Sequence, residues 1–309
     1  MTPPNAASPP SPPSPPSPPS PPSPPSPPSP PSAPFWGRLD GIVVVNLDER
    51  ADRWHQLRAN TASHLVGAPP LTRISALRGT ALPGYGRRPW FRGKPSDQRW
   101  AARAGCTQSH RAAMEVARQQ GWDTFLVLED DVDFSPLASL DLAALDRALF
   151  ATPPAWDICY LGFSKAVGAT LELASLGAHR LCEVSGCYTA HAYLVRGRAR
   201  DWIYTNLADE TLVWAWHAQH RSIDRWYARH LSQAFTVLAI TPSLITQVPG
   251  FSDIVQRQVD YAAEFPGQVG RISASRSSFL WRKWLRNTLM PLADCYDGLR
   301  AIIKRCRGF

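Results

Sequence analysis

Several features are missing from this 309-residue sequence. No charged and then apolar N-terminal pattern resembles a signal peptide, and no apolar run approaches the roughly 18 residues that cross a bilayer. The six cysteines include no CxxC pair, and a chain of this length does not need a disulfide framework, so we expect reduced thiols. These absences predict a cytoplasmic protein, either soluble or in peripheral contact with the inner face of a membrane.

Net positive charge is small in the body of the chain and concentrated at its end. The net charge is +8, and residues 271–309 carry nine Lys and Arg against two Asp, or +7. The body is therefore nearly neutral. The basic tail contains no recognisable nucleic-acid-binding module, so we expect no nucleic-acid partner.

The first 34 residues lack the composition of a folded domain. From Ser8 to Ser32 the sequence repeats Ser-Pro-Pro, and proline at two of every three positions removes the backbone donors that helices and sheets require. We interpret this arm as disordered polyproline II, serving as a solvated spacer or docking on an SH3-like groove. The predicted organisation is this arm at 1–34, a folded domain at 35–265 and a basic helical tail at 266–309.

The body of the chain alternates predicted strands and helices. Residues 42–45 (Ile-Val-Val-Val) form a continuous apolar run, typical of a buried strand, and a polar loop and a helical pattern follow. Similar patterns recur at 71–76, 124–128, 156–162 and 188–195. This alternation predicts an α/β domain with a mixed, mostly parallel central sheet.

Three consecutive carboxylates follow the predicted strand at 124–128. Glu129, Asp130 and Asp131 adjoin a dry apolar run, and no Lys or Arg occurs between Gly121 and Asp146. Side chains at i and i+2 of an extended segment share a face, so Glu129 and Asp131 can reach one Mg²⁺ or Mn²⁺. A solvated acidic turn that caps the next helix is the alternative.

Two other patterns have competing interpretations. His217 and His220 are spaced i, i+3 on a predicted helix, which suits a metal pair, but no third ligand is evident, so we interpret them as structural. The tail predicts two basic amphipathic helices separated at Pro291, with Trp281 and Trp284 on the apolar face of the first. That face either contacts an anionic membrane or packs on the domain.

Several blocks of residues along the chain form an ordered set. They are residues 44–53, 75–79, 105–110, 125–132, 157–162, 190–195 and 223–224, with Gln247 and 252–254. In combination, these blocks resemble glycosyltransferase family 25, which includes lipopolysaccharide galactosyltransferases and collagen galactosyltransferases. The blocks occur in the family's order and cover about residues 40–255.

The resemblance implies a GT-A-like single domain that transfers a sugar from a UDP-sugar, UDP-galactose above all, with inversion. The acceptor would be a cell-surface glycan or a lipid-linked saccharide such as a lipooligosaccharide. Glu129 and Asp131 would hold Mn²⁺ or Mg²⁺, and Asp224 would be the catalytic base. The residues implied to bind the nucleotide-sugar are Asn46, Arg50, Arg53, Ser75, Ser109, His110 and Asp130.

Two positions depart from the family pattern. Arg78 stands where the family usually carries Asp, and Arg103 where Glu is common. These changes favour one alternative, a catalytically inactive glycosyltransferase-like binding module. A nucleotidyltransferase or nucleotide hydrolase that uses the same metal and nucleotide is a separate alternative that stays open.

Overall fold

The structure is a computed structural model that describes residues 35–151, 156–252, 257–264 and 266–307. The predicted Ser-Pro-Pro arm at 1–34 lies outside the described residues. All of the described residues belong to one compact unit. All six cysteines are free thiols.

Strands and helices alternate through most of this unit. The helices are α1 Ala51–His64, α2 Ser96–Gln119, α3 Leu142–Asp146, α4 Gly197–Asn206, α5 Val213–His220, α6 Ile223–Ala234, α7 Tyr261–Glu264 and α8 Arg276–Arg307. The strands are β1 Gly41–Asn46, β2 Leu71–Ser75, β3 Thr124–Glu129, β4 Val132–Asp133, β5 Ile158–Gly162, β6 Lys165–Ala166, β7 Thr170–Leu176, β8 His179–Val184, β9 Cys187–Tyr188, β10 Ala192–Arg196, β11 Val237–Thr241, β12 Thr246–Gln247, β13 Gly250–Ser252 and β14 Arg257–Val259. Short 3-10 and π turns complete the described part.

Eight strands form the central sheet, in the order β2-β1-β3-β10-β5-β11-β8-β7. Three neighbouring pairs are parallel, namely β1 with β2, β1 with β3, and β11 with β5. The other four pairs are antiparallel. The α/β class and the mixed sheet are confirmed, but the prediction of a mostly parallel sheet is wrong because β10 runs antiparallel between β3 and β5.

The sheet separates two apolar cores. Along β1, Val43 packs into one core while Ile42 and Val44 pack into the other, as the two-residue period of a strand requires. In β3, Leu126 and Val127 divide in the same way. Because both faces are covered, the strands are continuous apolar runs, which is the pattern that the sequence shows.

Polar residues at the carboxyl ends of three parallel strands lie together at one edge of the sheet. Asn46, the last residue of β1, pairs in register with Ser75, the last residue of β2. On the other side of β1, Val45 pairs with Glu129, the last residue of β3. The carboxyl ends of β1, β2 and β3 therefore meet, which is where ligands bind in open α/β sheets.

Helix α2 carries the block at residues 105–110. It begins at Ser96 and ends at Gln119, so residues 105–110 are helical. Gly105 permits this packing, because a Cβ there would overlap the backbone of Leu77. The helix ends before Gly121, whose φ of 70° is the left-handed conformation that glycine adopts readily.

The C-terminal segment is a single helix, and the predicted break at Pro291 is wrong. Both sides of Pro291 are fastened to the body: Lys283 donates to Glu183 at 3.1 Å, and Arg229 donates to Asp297 at 2.5 Å. The polar face of α8 is the docked face. The apolar face is exposed, at 44 to 68% for Leu280, Trp281, Trp284, Leu285, Leu289, Leu292, Tyr296, Leu299, Ile302 and Ile303.

The exposed face of α8 does not make the helix a membrane span. Among the described residues, no helix combines the length and the apolarity needed to cross a membrane. The alternative in which the apolar stripe packs on the domain is contradicted by the exposure of these ten side chains.

Candidate functional site

Three carboxylates lie together at the end of β3. Glu129 is the last residue of the strand, and Asp130 and Asp131 form the turn that leads into β4. Their side chains are 24%, 10% and 22% exposed, so the carboxylates are largely withdrawn from water but still reachable. An acidic turn of this kind is not fully solvated, which favours the binding interpretation over the solvated one.

Residues from the β1–α1 connection contact this cluster. Arg53 Nη1 lies 3.0 Å from Asp130 Oδ1 and 3.0 Å from Asp131 Oδ2. Asn46 Nδ2 donates to Asp130 Oδ2 at 2.6 Å. The absence of cations in residues 121–146 therefore does not leave the cluster without a partner, because Arg53 arrives from a different part of the chain.

Gln247 joins Glu129 and Asp131. Its Nε2 donates to Glu129 Oε2 at 3.3 Å and to Asp131 Oδ1 at 3.1 Å. The pairing of β12 with β4 places it there, together with a backbone bond from Val248 N to Asp131 O at 2.7 Å. A single amide group thus reaches both carboxylates that were predicted to hold one cation.

The protonation of the cluster reflects burial and mutual repulsion. Burial, together with the charges of Glu129 and Asp130, raises the pKa of Asp131 to about 7 against the opposing effect of Arg53. Burial and Glu129 also raise the pKa of Asp130, against Asn46 and Arg53. Burial acts in the same direction on Glu129, but His110, His191 and Arg53 outweigh it and keep that pKa below its usual value.

His110 faces the cluster from α2. Its Nδ1 lies 2.8 Å from the Tyr193 hydroxyl, and its Nε2 lies 3.5 Å from Glu129 Oε1. That Nε2 is buried and makes no hydrogen bond of good geometry among the described residues. Cys106, one helical turn earlier, brings its sulfur within 4.8 Å of ligand atoms of His110 and Glu129.

Asp224 lies near the same face, at the start of α6. It accepts hydrogen bonds from the Ser222 hydroxyl, from Arg225 N at 2.8 Å and from Thr189 N at 3.3 Å. Burial raises the pKa of the Cys106 thiol, and the charges of Glu129 and Asp224 raise it further. Asp224 is therefore within electrostatic reach of Cys106, and its contact with Arg225 N in the first turn of α6 is one that a purely structural Asp at a helix start also makes.

Three predicted donor-site residues make local contacts instead. Arg50 forms a two-bond pair with Asp52 at 3.0 Å. Ser75 donates to Asp48 at 2.9 Å. Ser109 is buried, where its hydroxyl donates to the Gly105 carbonyl at 2.8 Å and accepts from Leu77 N at 2.8 Å. The structure brings together Asn46, Arg53, His110, Glu129, Asp130 and Asp131.

The two departures from the family pattern have contacts outside the carboxylate cluster. Arg78 pairs with Glu49 on the surface. Burial, with a contribution from the charge of Arg103, lowers the pKa of His217 to about 3 against the hydrogen bond between its ring and the Arg221 carbonyl. Arg103 therefore lies within electrostatic reach of α5.

The cluster offers the donor types that a divalent cation binds. Carboxylate oxygens of Glu129 and Asp131 are ligands that Mg²⁺ and Mn²⁺ prefer, and among the described residues His110 Nε2 has no hydrogen-bond partner beside them. Cys106 does not suit such a cation, because a soft thiol is a poor ligand for Mg²⁺ or Mn²⁺. A groove of about 450 Å³ on the outer side of α2, lined by Gln108 and Arg111 among others, includes no residue of the cluster.

Sequence reasoning missed some of the contacts that build this site. Gln247 belongs to a block that resembles the family, but its link to Glu129 and Asp131 depends on β12 pairing with β4. Arg73 Nε donates to Asn46 Oδ1 at 2.7 Å and so fixes the amide that binds Asp130. No local pattern around Arg73 signals this role.

Comparisons with known proteins add little to the geometry. No family model matches the chain, and no curated protein sequence matches it. Among solved structures, the chain is similar to "Crystal Structure of A197 from STIV", with 10% identity and a TM-score of 0.32. The match covers 76% of this chain and 98% of that chain. At that TM-score the likeness supports no conclusion about fold family or function.

Proposed function

We propose that the chain is a metal-dependent, inverting glycosyltransferase with a GT-A-like fold. It transfers a sugar to a glycan or lipid-linked saccharide acceptor. The expected donor is UDP-galactose, which supplies galactose. The observation that carries the proposal is the carboxylate cluster at the shared edge of β1 and β3, in which Gln247 contacts both Glu129 and Asp131. The ordered resemblance of the sequence to glycosyltransferase family 25 supports the choice of reaction.

Different residues of the site are proposed to hold the metal ion and to contact the phosphates of the donor. Glu129 and Asp131 would hold Mn²⁺ or Mg²⁺, with His110 beside them, and that ion would neutralise charge on the departing diphosphate. Asn46 and Arg53 orient Asp130 and Asp131. Because Arg53 is 17% exposed at this edge, its guanidinium is also available to a phosphate oxygen.

Asp224 is the proposed base for the acceptor hydroxyl. A base must accept a proton at the reacting oxygen and be held in position while it does so. Contacts from Thr189 N and Arg225 N fix the orientation of the Asp224 carboxylate. We expect Asp224→Asn to lower the rate of sugar transfer while leaving the affinity for UDP and Mn²⁺ unchanged.

The direct test is metal-dependent release of UDP from UDP-galactose by the full chain. Asp131→Asn should abolish the Mn²⁺-dependent release of UDP, because one of the two carboxylates proposed to hold the ion becomes a neutral amide. Asp133→Asn is the matched control, since Asp133 lies two residues further on and bonds to Ser135 instead of the cluster. Undiminished release by Asp131→Asn contradicts the metal assignment, and UMP or pyrophosphate as product indicates a hydrolase or a nucleotidyltransferase.

The exposed face of α8 supports membrane attachment of this enzyme. Ten large apolar side chains, including Trp281, Trp284 and Tyr296, face outward while the polar side of the helix is docked. The exposed stripe is wider than the seam of a coiled coil, and exposed Arg276 and Arg282 flank it. These features fit an anionic bilayer surface, with the helix lying in the interfacial plane.

Flotation with vesicles tests this attachment. The full chain should float with phosphatidylglycerol-containing vesicles and much less with pure phosphatidylcholine vesicles. A Trp281→Gln and Leu285→Gln double variant should lose flotation, whereas Val66→Gln, which alters an equally exposed apolar residue elsewhere, should not. Equal flotation of all forms contradicts the proposal, and so does a stable dimer that the double variant dissolves.

A further inference from the structure

A second group of metal-ligating side chains lies outside the carboxylate cluster. His220 at the end of α5, His230 in α6 and Asp294 in α8 each bring one ligand atom within 4.8 Å of the other two. The separation between His230 Nε2 and Asp294 Oδ1 is 3.8 Å. The sequence offered only His217 as a companion of His220, but His217 points to Thr107, at 3.0 Å.

Three polar atoms of this group make no hydrogen bond among the described residues. His220 Nδ1, His230 Nε2 and Asp294 Oδ1 are all buried and lack a hydrogen-bond partner there. Buried polar atoms are rarely left unpaired in folded proteins, so three that converge on one point require an explanation. Arg229 supplies little compensation, because it lies 2.5 Å from Asp297 Oδ2 and 3.6 Å from Asp294 Oδ1.

We propose that His220, His230 and Asp294 form a Zn²⁺ site that fastens α8 to α5 and α6. Two imidazoles and one carboxylate are a common zinc ligand set, and a tetrahedral ion leaves the fourth position to water. Ligand atoms around tetrahedral zinc lie about 3.3 Å apart, so the three side chains need only small rotations to close on the ion.

The site has a structural consequence for α8. Its three ligands come from three helices, so one ion crosslinks the C-terminal helix to the body at a point three residues beyond Pro291. The inference does not depend on the glycosyltransferase proposal, because none of its ligands belongs to the carboxylate cluster. Its failure and the failure of that proposal are therefore separate results.

The test uses the untagged full chain, freed of metal and titrated with Zn²⁺ and, for its visible spectrum, with Co²⁺. The ligand variants are compared in a Cys106→Ser background, which removes the thiol from the group near the carboxylate cluster, and the unaltered chain is titrated beside them. We expect one tight site with a cobalt spectrum of nitrogen and oxygen ligation. His230→Gln and Asp294→Asn should each weaken Zn²⁺ binding by more than about 100-fold, since losing a direct ligand exceeds the effect of losing an outer-shell partner.

Two controls make the result decisive. His55→Gln alters an exposed histidine on α1 and should bind Zn²⁺ as tightly as the parent protein. Zn²⁺ should raise the melting temperature and slow tryptic cleavage in α8 for the parent, but have neither effect on Asp294→Asn, which keeps the shape of the side chain. Unchanged Zn²⁺ affinity in both ligand variants overturns the site, and so does metal binding that Cys106→Ser abolishes.

Discussion

Replacing Arg53 by methionine should weaken the fold and strengthen metal binding at once. The Arg53 guanidinium lies 3.0 Å from both Asp130 and Asp131, whose side chains are 10% and 22% exposed. Removing one partner of a fully buried pair costs about 3–5 kcal/mol, so for this partly exposed group we expect a loss of about 2–3 kcal/mol. At about 2–4 °C per kcal/mol for a chain of this size, the melting temperature should fall by roughly 4–12 °C.

The effect on metal affinity has the opposite sign. A divalent cation bound on the far side of Asp131 would lie roughly 6 Å from the guanidinium, where the two charges repel by about 1.4 kcal/mol even in bulk water. The Arg53→Met variant should therefore bind Mn²⁺ about tenfold more tightly than the parent, and Mn²⁺ should restore part of the lost thermal stability.

Calorimetric titration with Mn²⁺ and thermal unfolding at pH 8.5 measure both effects. That pH lies above the pKa of about 7 for Asp131, so proton competition does not obscure the comparison. Arg58→Met is the matched control, because Arg58 is exposed on the same helix. If Mn²⁺ binds Arg53→Met no more tightly than it binds Arg58→Met, the carboxylates beside Arg53 are not the metal ligands.

Three further predictions test the surroundings of the site. Gly105→Ala should lower the free energy of unfolding by about 1–3 kcal/mol in urea melts, because the new Cβ meets the backbone of the loop before α2, whereas Gly270→Ala enters open space and should be neutral. The pKa of buried His217 is lowered to about 3, so below pH 6.5 the unfolded chain takes up a proton that the folded chain does not bind. Between pH 7.5 and 5, about 2 kcal/mol of stability should therefore be lost through this histidine. His217→Gln should remove that part of the dependence of stability on pH. Tyr193→Phe leaves His110 Nδ1 unpaired, at a cost of about 1–3 kcal/mol in thermal unfolding, and should weaken Mn²⁺ binding in calorimetry.

The sequence predicted the individual parts of the sheet better than their arrangement. The strand before Glu129 was evident because residues 124–128 suit a buried strand and end at three carboxylates. Strand β1 was evident because residues 42–45 are a continuous apolar run. The direction of β10 was not, because an apolar strand buried on both faces carries no signal for parallel or antiparallel pairing. The mostly parallel sheet was an extrapolation from the alternation of strands and helices.

The candidate site shows a similar limit. The carboxylates are neighbours in the sequence, so their grouping was predictable, whereas Arg53 and Gln247 reach them across 78 and 116 residues respectively. Local pattern also cannot say which side of an amphipathic helix is docked. In α8 the periodicity of the two faces was correct, but the polar face packs inward and the apolar face remains exposed.

This inverted docking determines how α8 can be altered without damage. Deleting the helix to remove its apolar surface would leave Glu183 without Lys283, Arg229 without Asp297, and an empty space where Phe279 is completely buried. Shortened chains would therefore lose stability for reasons unrelated to any membrane or metal. Polar substitutions on the outward face, such as Trp284→Gln or Leu292→Gln, should reduce the apolar surface that α8 exposes to solvent. They should also preserve the ionic contacts that hold the helix in place.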